Sequence, residues 1–357
     1  MLLNSNSIHP ITRKLGTWYA VNKRDLPWRK NPEPYTTWIS EIVFQQTRIE
    51  QGIGYYERLI EKFPTVYDLA RASENEVLKA WEGLGYYSRA RNLHYSAKQI
   101  VADYGGVFPK THKEILGLKG IGPYIAAAIS SIAFKQPYPA IDGNVLRVVS
   151  RLFKVNEEID LPSTKKWIEK ELNLLIDTEN PGDFNQAMME LGALICKPKN
   201  PQCDQCPISE HCMAYADKVQ EEFPVKKKKA KVKKVYFSYL VFHTDSSLII
   251  EKRESGIWKG LHQFPLLEGD GSEDEVEVYS KLSEEYGDAI NEIIATESYK
   301  HILSHREIKA KFYIIKVDVL PSITSFIEVE KKELWNYPMP RLLLRFLSSE
   351  SAKQNLM

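Results

Sequence analysis

The 357-residue chain has no cysteine outside one short segment, no long apolar run and a net charge of only +1. No stretch approaches the roughly 18 apolar residues of a membrane span, and no early segment joins a basic start to an apolar run. We therefore expect a soluble, intracellular protein with no membrane partner. Lys and Arg total 48 against 47 for Asp and Glu, so net charge neither favours nor excludes nucleic acid.

All four cysteines form a C-x6-C-x2-C-x5-C run: Cys196, Cys203, Cys206 and Cys212. Such clustering favours a metal or cluster site in a reducing compartment over a disulfide framework. Four thiolates can hold zinc, although structural zinc sites usually pair two short hooks and only one is present here. They can equally hold a four-iron four-sulfur cluster. Spacing alone leaves zinc and the cluster open.

Composition and periodicity divide the chain, and its length makes two domains the better expectation. Residues 8–222 carry apolar residues at three- and four-residue steps, which predicts a helical domain. Residues 223–234 contain seven lysines and predict a linker, either a solvated tether or a set of phosphate contacts. Later segments predict an α+β pattern: strands at Val235–Phe242, Leu248–Glu251 and Ile308–Val317, and helices at Glu275–Tyr286 and Arg341–Leu347.

Two carboxyl groups are candidates for chemistry. Glu41 lies in ISEIVFQQT among apolar residues, and such neighbours can raise a carboxyl pKa enough for it to carry a proton near neutrality. Asp142 lies in IDGNV, where a loop meets the next helix, and helix N–H groups would keep it ionised. One protonated and one ionised carboxyl form the glycosidase arrangement. A solvated Glu41 and a purely structural cap at Asp142 are the alternatives.

Two glycine-containing segments are candidates for DNA contact. In LKGIGPY, Gly120 and Gly122 precede a helix start, where backbone N–H groups can converge on a phosphate. GLGYYSRARN interleaves glycine, aromatic and arginine residues, including Leu84 and Tyr87. Phosphate contacts and a stacking wedge are both available to such a segment. Each could also be an ordinary turn.

Taken together and in order, ISEIVFQQT, GLGYYSRARN, LKGIGPY, IDGNV and the cysteine run resemble the helix-hairpin-helix glycosylases and match the MutY type. The resemblance implies a mainly α glycosylase domain at residues 1–222, with a [4Fe-4S] cluster loop at 196–212. An α+β Nudix-like domain would follow at 235–357. It also implies removal of adenine mispaired with 8-oxoguanine or guanine in double-stranded DNA, by a monomer in the bacterial cytoplasm that associates with the nucleoid.

The resemblance assigns roles by motif position. Glu41 would protonate adenine, and Asp142, supported by Asn144, would stabilise the sugar cation. Arg24, Trp28, Arg29 and Glu190 match the adenine pocket, and Gln46 and Tyr87 match residues that wedge into the base stack, next to Leu84. Tyr124 stands where endonuclease III-like lyases have a Schiff-base lysine, which predicts a glycosylase without lyase activity.

The C-terminal part resembles the lesion-reading module of the same family. GIWKGLHQFP matches its aromatic segment, with His262 where an aromatic is common. Leu303-Ser304-His305 resembles its F-S-H loop, which predicts that Ser304 and His305 inspect 8-oxoguanine; Leu303 replaces the usual Phe. Residues 273–286 lack the Glu-rich pattern of a hydrolytic Nudix box, so we expect recognition without diphosphate hydrolysis.

Three functions remain to be weighed. The first is the adenine glycosylase. The second is a thymine-mismatch glycosylase or an endonuclease III-like lyase of the same fold, since tyrosine at position 124 also occurs in thymine-mismatch enzymes. The third is a noncatalytic DNA-binding module. Glu41 and the second domain favour the first.

Overall fold

The computed structural model describes residues 8–227, 232–269, 275–303 and 306–356. Residue packing divides them into two compact units. One holds the described residues of Met1–Arg71 and Asn92–Lys228, and the other those of Ala72–Arg91 and Lys229–Met357. The structure thus groups Ala72–Arg91 with the C-terminal part of the chain. The linker expected at residues 223–234 stays a prediction.

The first part of the chain is helical, as its apolar periodicity predicts. Proline opens several of its helices, because a fixed φ and a missing N–H suit the first helical position. Pro34 and Pro123 do so for the two helices that carry Glu41 and Tyr124. Helices α1 to α13 span, in order, Pro10–Asn22, Pro27–Lys30, Pro34–Val43, Ile49–Lys62, Val66–Arg71, Glu74–Ala80, Ser88–Tyr104, His112–Leu116, Pro123–Ile132, Gly143–Leu152, Pro162–Leu175, Pro181–Leu194 and Met213–Ala216.

The main core of the first unit forms where α1, α10, α11 and α12 bring their apolar faces together. Leu15, Val149, Leu172 and Leu191 are buried there. Because α10 begins at Gly143 and α12 contains Glu190, this core fixes two of the helices that present candidate site residues.

The C-terminal part builds one mixed sheet of eight strands within the described residues. Strands β1 and β7 pair in parallel at its centre, and the path runs β3-β2-β1-β7-β5, with β4 on β1, β6 on β7 and β8 on β2. Strands β1 to β8 span Lys233–His243, Ser247–Lys252, His262–Gln263, Leu266–Gly269, Ile290–Ala295, Tyr299–Ile302, Arg306–Val317 and Phe326–Glu330, and helices α14 to α16 span Glu275–Tyr286, Arg341–Leu347 and Glu350–Asn355.

The sheet has an apolar core on each face, as the two-residue period of a strand requires. Phe237, Tyr239 and Val241 face the core that includes α15. Leu240 and Phe242 face the core that includes α14. The α+β expectation is therefore confirmed.

The helices predicted at Glu275–Tyr286 and Arg341–Leu347 are confirmed, and the three predicted strands are longer than expected. Strand β1 begins at Lys233, inside the predicted linker, because its register with β7 continues to Arg306. Among the described helices, none is long and apolar enough to cross a membrane.

Candidate active site

Glu41 lies in the last turn of α3, beside the buried residues Trp38 and Ile42. Burial raises the pKa of Glu41 to about 7, as its apolar neighbours predict. The nearby charge of Asp142 raises it further, whereas a hydrogen bond from Tyr124 and the charge of Arg29 act in the opposite direction. This carboxyl can therefore hold a proton near neutral pH and also release it, which a general acid requires.

Tyr124 lies in the first turn of α9, and its hydroxyl donates a short hydrogen bond to Oε2 of Glu41. Burial, followed by the neighbouring charges of Glu41 and Asp142, raises the pKa of this phenol well above its usual value. The hydroxyl therefore stays protonated and acts as a donor. The same oxygen lies 3.8 Å from Sδ of Met189.

Asp142 is the N-cap of α10. Its carboxylate accepts hydrogen bonds from the backbone N–H of Val145 at 2.7 Å and from Nδ2 of Asn144 at 2.8 Å. Burial nevertheless raises the pKa of Asp142, while these bonds oppose the rise. The helix start thus favours the ionised form of Asp142, as expected, whereas desolvation acts against it.

Glu190 forms salt bridges with two of the predicted site residues, Arg24 and Arg29. Arg24 donates to both of its carboxylate oxygens at 2.8 Å, and Arg29 donates to Oε2 at 3.0 Å. Glu190 is 1% exposed, and its burial disfavours the charged form. The hydrogen bonds from both arginines overcome this and lower the pKa of Glu190 to about 2.

Trp28 lies between Phe44 and Tyr56, with ring centroids at 4.4 and 5.2 Å. The indole therefore belongs to an aromatic group next to the helix end that carries Glu41.

Arg147 was missed by the sequence reasoning, although its place on α10, one turn after Asn144, could have indicated it. Its Nη2 donates to Oδ1 of Asn144 at 2.8 Å and to the carbonyl of Gly192 at 2.7 Å. Its Nε donates to the carbonyl of Cys196 at 2.7 Å. Arg147 therefore joins the residue that supports Asp142 to the start of the cysteine segment.

The four cysteines are free thiols that line one cavity of about 30 Å³. Arg151, one turn beyond Arg147 on α10, donates to Sγ of Cys196 at 3.3 Å and to the carbonyl of Lys197 at 2.7 Å. Four sulfur donors with an adjacent cation form a donor set that suits an anionic iron–sulfur cluster. No three His, Cys, Asp or Glu side chains in the described ranges meet closely enough to hold a single metal ion.

The segment LKGIGPY forms the predicted turn before α9. Gly120 has a φ of +78°, and a Cβ there would lie 2.6 Å from Cβ of Asn92, so the turn needs glycine on both counts. Gly122 is the N-cap of the ten-residue helix α9. The geometry matches the first half of the prediction, a tight turn that leads into a helix N-terminus.

In the GLGYY segment, the tyrosine that faces solvent is not the predicted one. Tyr87 is only 6% exposed, and its hydroxyl accepts a hydrogen bond from the backbone N–H of Gly83 at 3.1 Å. Tyr86 is 48% exposed and has a φ of 49°. A ring held in this way cannot enter a base stack, so a wedge role does not fit Tyr87.

Two other predicted DNA contacts have different surroundings. Gln46 is exposed and has a φ of 57°, just after α3 ends at Val43. Leu84 is half-buried in the GLGYY segment.

Of the predicted lesion readers, Ser304 and His305 lie outside the described residues. Leu303 packs partly buried against the C-terminal core. His262 is buried and lies 4.9 Å from the ring of Tyr337, edge to face, so it takes an aromatic packing role.

Three family models match the chain. The HhH-GPD superfamily of base excision DNA repair proteins matches residues 39–177, and the NUDIX domain matches residues 238–349. The iron-sulfur binding domain of endonuclease III matches residues 196–212. This last match coincides with the cysteine run and identifies the site as one for a [4Fe-4S] cluster, which resolves the choice that spacing left open.

The solved structures agree with the helical match. The structure of a thermostable thymine-DNA glycosylase superposes with a TM-score of 0.54 at 29% identity, covering 58% of this chain and 95% of that one. A trapped endonuclease III–DNA covalent intermediate superposes with a TM-score of 0.51 at 25% identity, with the same coverage. The predicted helix-hairpin-helix glycosylase fold is confirmed.

Curated relatives extend the similarity to both parts of the chain. The adenine DNA glycosylase of Buchnera aphidicola from Acyrthosiphon pisum is 34% identical over 95% of this chain and 96% of its own length. That of Arabidopsis thaliana is 37% identical over 74% of this chain, which spans about half (48%) of the plant protein. The human adenine DNA glycosylase is 42% identical over 58% of this chain and 39% of its own length. The chain belongs to the adenine DNA glycosylase family of helix-hairpin-helix base-excision-repair enzymes.

Proposed function

We propose that this protein removes adenine from double-stranded DNA where it is mispaired with 8-oxoguanine or guanine, by hydrolysis of the N-glycosidic bond. The observation that carries the proposal is Glu41, a half-buried residue whose carboxyl has a pKa of about 7 near a second carboxyl, Asp142. A pair of carboxyl groups in two protonation states is what glycosidic hydrolysis needs.

In the proposed reaction, Glu41 donates its proton to N7 of an adenine that has been flipped out of the duplex. The C–N bond then breaks, the base leaves with its electron pair, and positive charge develops on the sugar. The carboxylate of Asp142, held by Asn144 and the start of α10, stabilises that charge until water completes the hydrolysis. The protonated base is the better leaving group.

The binding pocket proposed for adenine uses Trp28 as a wall and the Glu190 group as a fixed rim. Because Arg24 and Arg29 are both committed to Glu190, these charges are paired before any base enters. Such a pre-formed ion-pair group costs no reorganisation when substrate binds. The [4Fe-4S] cluster would be held by the four cysteines and would link the ends of the segment at residues 196–212 rigidly.

The product would be an abasic site and not a strand break. A lyase forms a Schiff base through a lysine amine, and Tyr124 offers a hydroxyl bound to Glu41 in that place. We therefore propose a monofunctional glycosylase. Because the structure of a thymine-DNA glycosylase is similar to this chain, the released base is identified by the duplex experiment.

The C-terminal part would read the opposite base.

Tyr86 is the exposed ring of the GLGYY segment, and we propose it, in place of Tyr87, as the wedge that enters the base stack with Gln46. Lesion reading by Ser304 and His305, a monomeric state and a nucleoid-associated location in a bacterial cytoplasm remain proposals taken from the family resemblance.

Replacement of Glu41 by Gln tests the proposal. We expect the rate of adenine release to fall at least a hundredfold, in line with the loss of a general acid, while the affinity for the mispaired duplex is retained. Glu57 is exposed on α4 and has no assigned role in the site, so Glu57→Gln is the matched control. Unchanged release by Glu41→Gln would refute the assigned chemistry and favour a noncatalytic DNA-binding protein.

A further inference from the structure

The hydroxyl of Tyr124 has two acceptors within reach. One is Oε2 of Glu41, and the other is Sδ of Met189 at 3.8 Å. Met189 precedes Glu190 on α12 and packs, partly buried, against the same apolar group as Tyr124. A phenol has a single proton, so it can donate to only one of these acceptors at a time.

The groups around Glu41 determine when the second acceptor matters. Tyr124, Asp142 and Arg29 face this carboxyl, and Arg29 is already bonded to Glu190. While Glu41 is ionised, Tyr124 donates to its carboxylate. While Glu41 is protonated, the phenol oxygen can accept a hydrogen bond from the carboxyl O–H only if its own hydrogen turns elsewhere. Met189 is the other acceptor near it in the described part of the chain.

We propose that Met189 is a positioning residue for the acid: its thioether accepts the Tyr124 hydrogen while Glu41 is protonated, so that the phenol oxygen accepts from Glu41 and stabilises the loaded acid. This inference rests on the proposed function. When adenine enters, the O–H of Glu41 turns from the phenol oxygen to the base; this O–H bond then breaks and an N–H bond forms on the base. The Tyr124 hydrogen then turns back to the new carboxylate.

A sulfur acceptor suits this exchange. A thioether accepts a hydrogen bond weakly, so it can hold the phenol hydrogen without trapping it there. An oxygen acceptor would hold it more strongly, and a hydrocarbon would not hold it at all. We therefore expect protonated Glu41 to be stabilised to three different extents by a sulfur, an oxygen or a hydrocarbon at position 189.

The test is the pH profile of single-turnover adenine release by the full-length protein, from about pH 5 to about pH 9. Met189→Leu keeps the side-chain volume and removes the acceptor. We expect the alkaline limb of its pH profile to move to lower pH by roughly half a pH unit, which corresponds to the loss of a weak hydrogen bond. The plateau at lower pH should persist. Met188→Leu, at the buried neighbouring position of α12, is the packing control and should leave the limb in place.

Two further variants separate proton exchange from packing. Met189→Gln supplies an oxygen acceptor, so its limb should lie at or above the wild-type position. In a Tyr124→Phe background there is no hydrogen to exchange, so Met189→Leu should cause no shift. Thermal unfolding of each variant establishes that it is folded.

Three results would overturn the proposal: an unshifted limb in Met189→Leu, an equal loss of rate at every pH, or a shift that persists without the Tyr124 hydroxyl. Failure of the wild-type protein to release adenine would instead overturn the proposed function. The two failures are therefore distinguishable.

Discussion

Tyr124 donates a hydrogen bond to the carboxyl of Glu41, a residue 83 positions earlier in the chain. The contact brings the start of α9 to the end of α3, and the family resemblance implies that a lyase would have a reactive amine in place of this neutral hydroxyl. The chemistry we propose depends on that pairing.

The rate of base release should depend on pH through both carboxyl groups. Glu41 must be protonated to act, and its pKa is about 7, so the rate should fall about tenfold per unit as pH rises above that value. Asp142 must be ionised, so the rate should also fall at the acidic end, beginning above the usual range of an aspartate because burial raises its pKa. Single-turnover rates across the pH range measure both limbs. A rate that still rises above pH 8, roughly one unit beyond the Glu41 pKa, would contradict the assignment.

The Glu190 ion-pair group should contribute to folding as well as to the pocket. Its folded pKa, about 2, lies below the ordinary value of 4.5, so its stabilisation is present above pH 4.5 and is lost as pH falls toward 2. Glu190→Gln leaves two arginines without their carboxylate and should lower the free energy of unfolding by about 3 kcal/mol at neutral pH. Urea unfolding checks the value. A deficit that stays constant down to pH 3, well inside that window, would rule out this origin.

The wedge can be assigned by comparing adjacent tyrosines. Tyr86→Ala removes the exposed ring and should slow adenine release from duplex DNA roughly ten- to hundredfold, the range of a lost base-stacking contact. Tyr87→Phe removes a buried hydroxyl bonded to Gly83 and should mainly lower thermal stability. Tyr95→Ala, at an exposed tyrosine of α7, is the control. Unchanged adenine release in Tyr86→Ala would contradict the assignment to Tyr86 and restore the prediction made from sequence.

Arg147 should affect catalysis without affecting cluster content. Arg147→Gln removes bonds to Asn144 and to the carbonyl of Cys196, so Asp142 loses part of its support. Since a charge-assisted hydrogen bond contributes about 1.5–3 kcal/mol, release should slow at least tenfold. The iron content and visible absorbance of Arg147→Gln should match those of wild type. Lys165 is exposed on α11, and the control Lys165→Gln should match wild type in rate and in iron content. Loss of iron with an unchanged rate per cluster would contradict this role.

The sequence predicted the parts of the molecule that depend on local pattern. Apolar periodicity identified the helical region and the two longest strands, and Asp142 marked the start of α10 as its N-cap. The raised pKa of Glu41 also followed from its neighbours along the chain. Short strands such as β3 and β6 were missed, because four residues or fewer carry too little periodicity to be recognised.

Other features depend on contacts between distant segments and could not be predicted from local pattern. The raised pKa of Asp142 reflects burial by the rest of the fold, which opposes the helix cap. The burial of Tyr87 in place of Tyr86 is set by a turn with positive φ angles at Gly83, Gly85 and Tyr86. The bonds of Arg147 and Met189 join α10 and α12 to other elements, and only the folded chain reveals them.

The most direct test of the account is single-turnover base release from three duplexes: adenine opposite 8-oxoguanine, adenine opposite guanine and thymine opposite guanine. Half of each sample is treated with alkali before the strands are separated. The account predicts that adenine is released fastest opposite 8-oxoguanine and that strand breaks appear only after alkali. Release of thymine, or strand breaks without alkali, would contradict it.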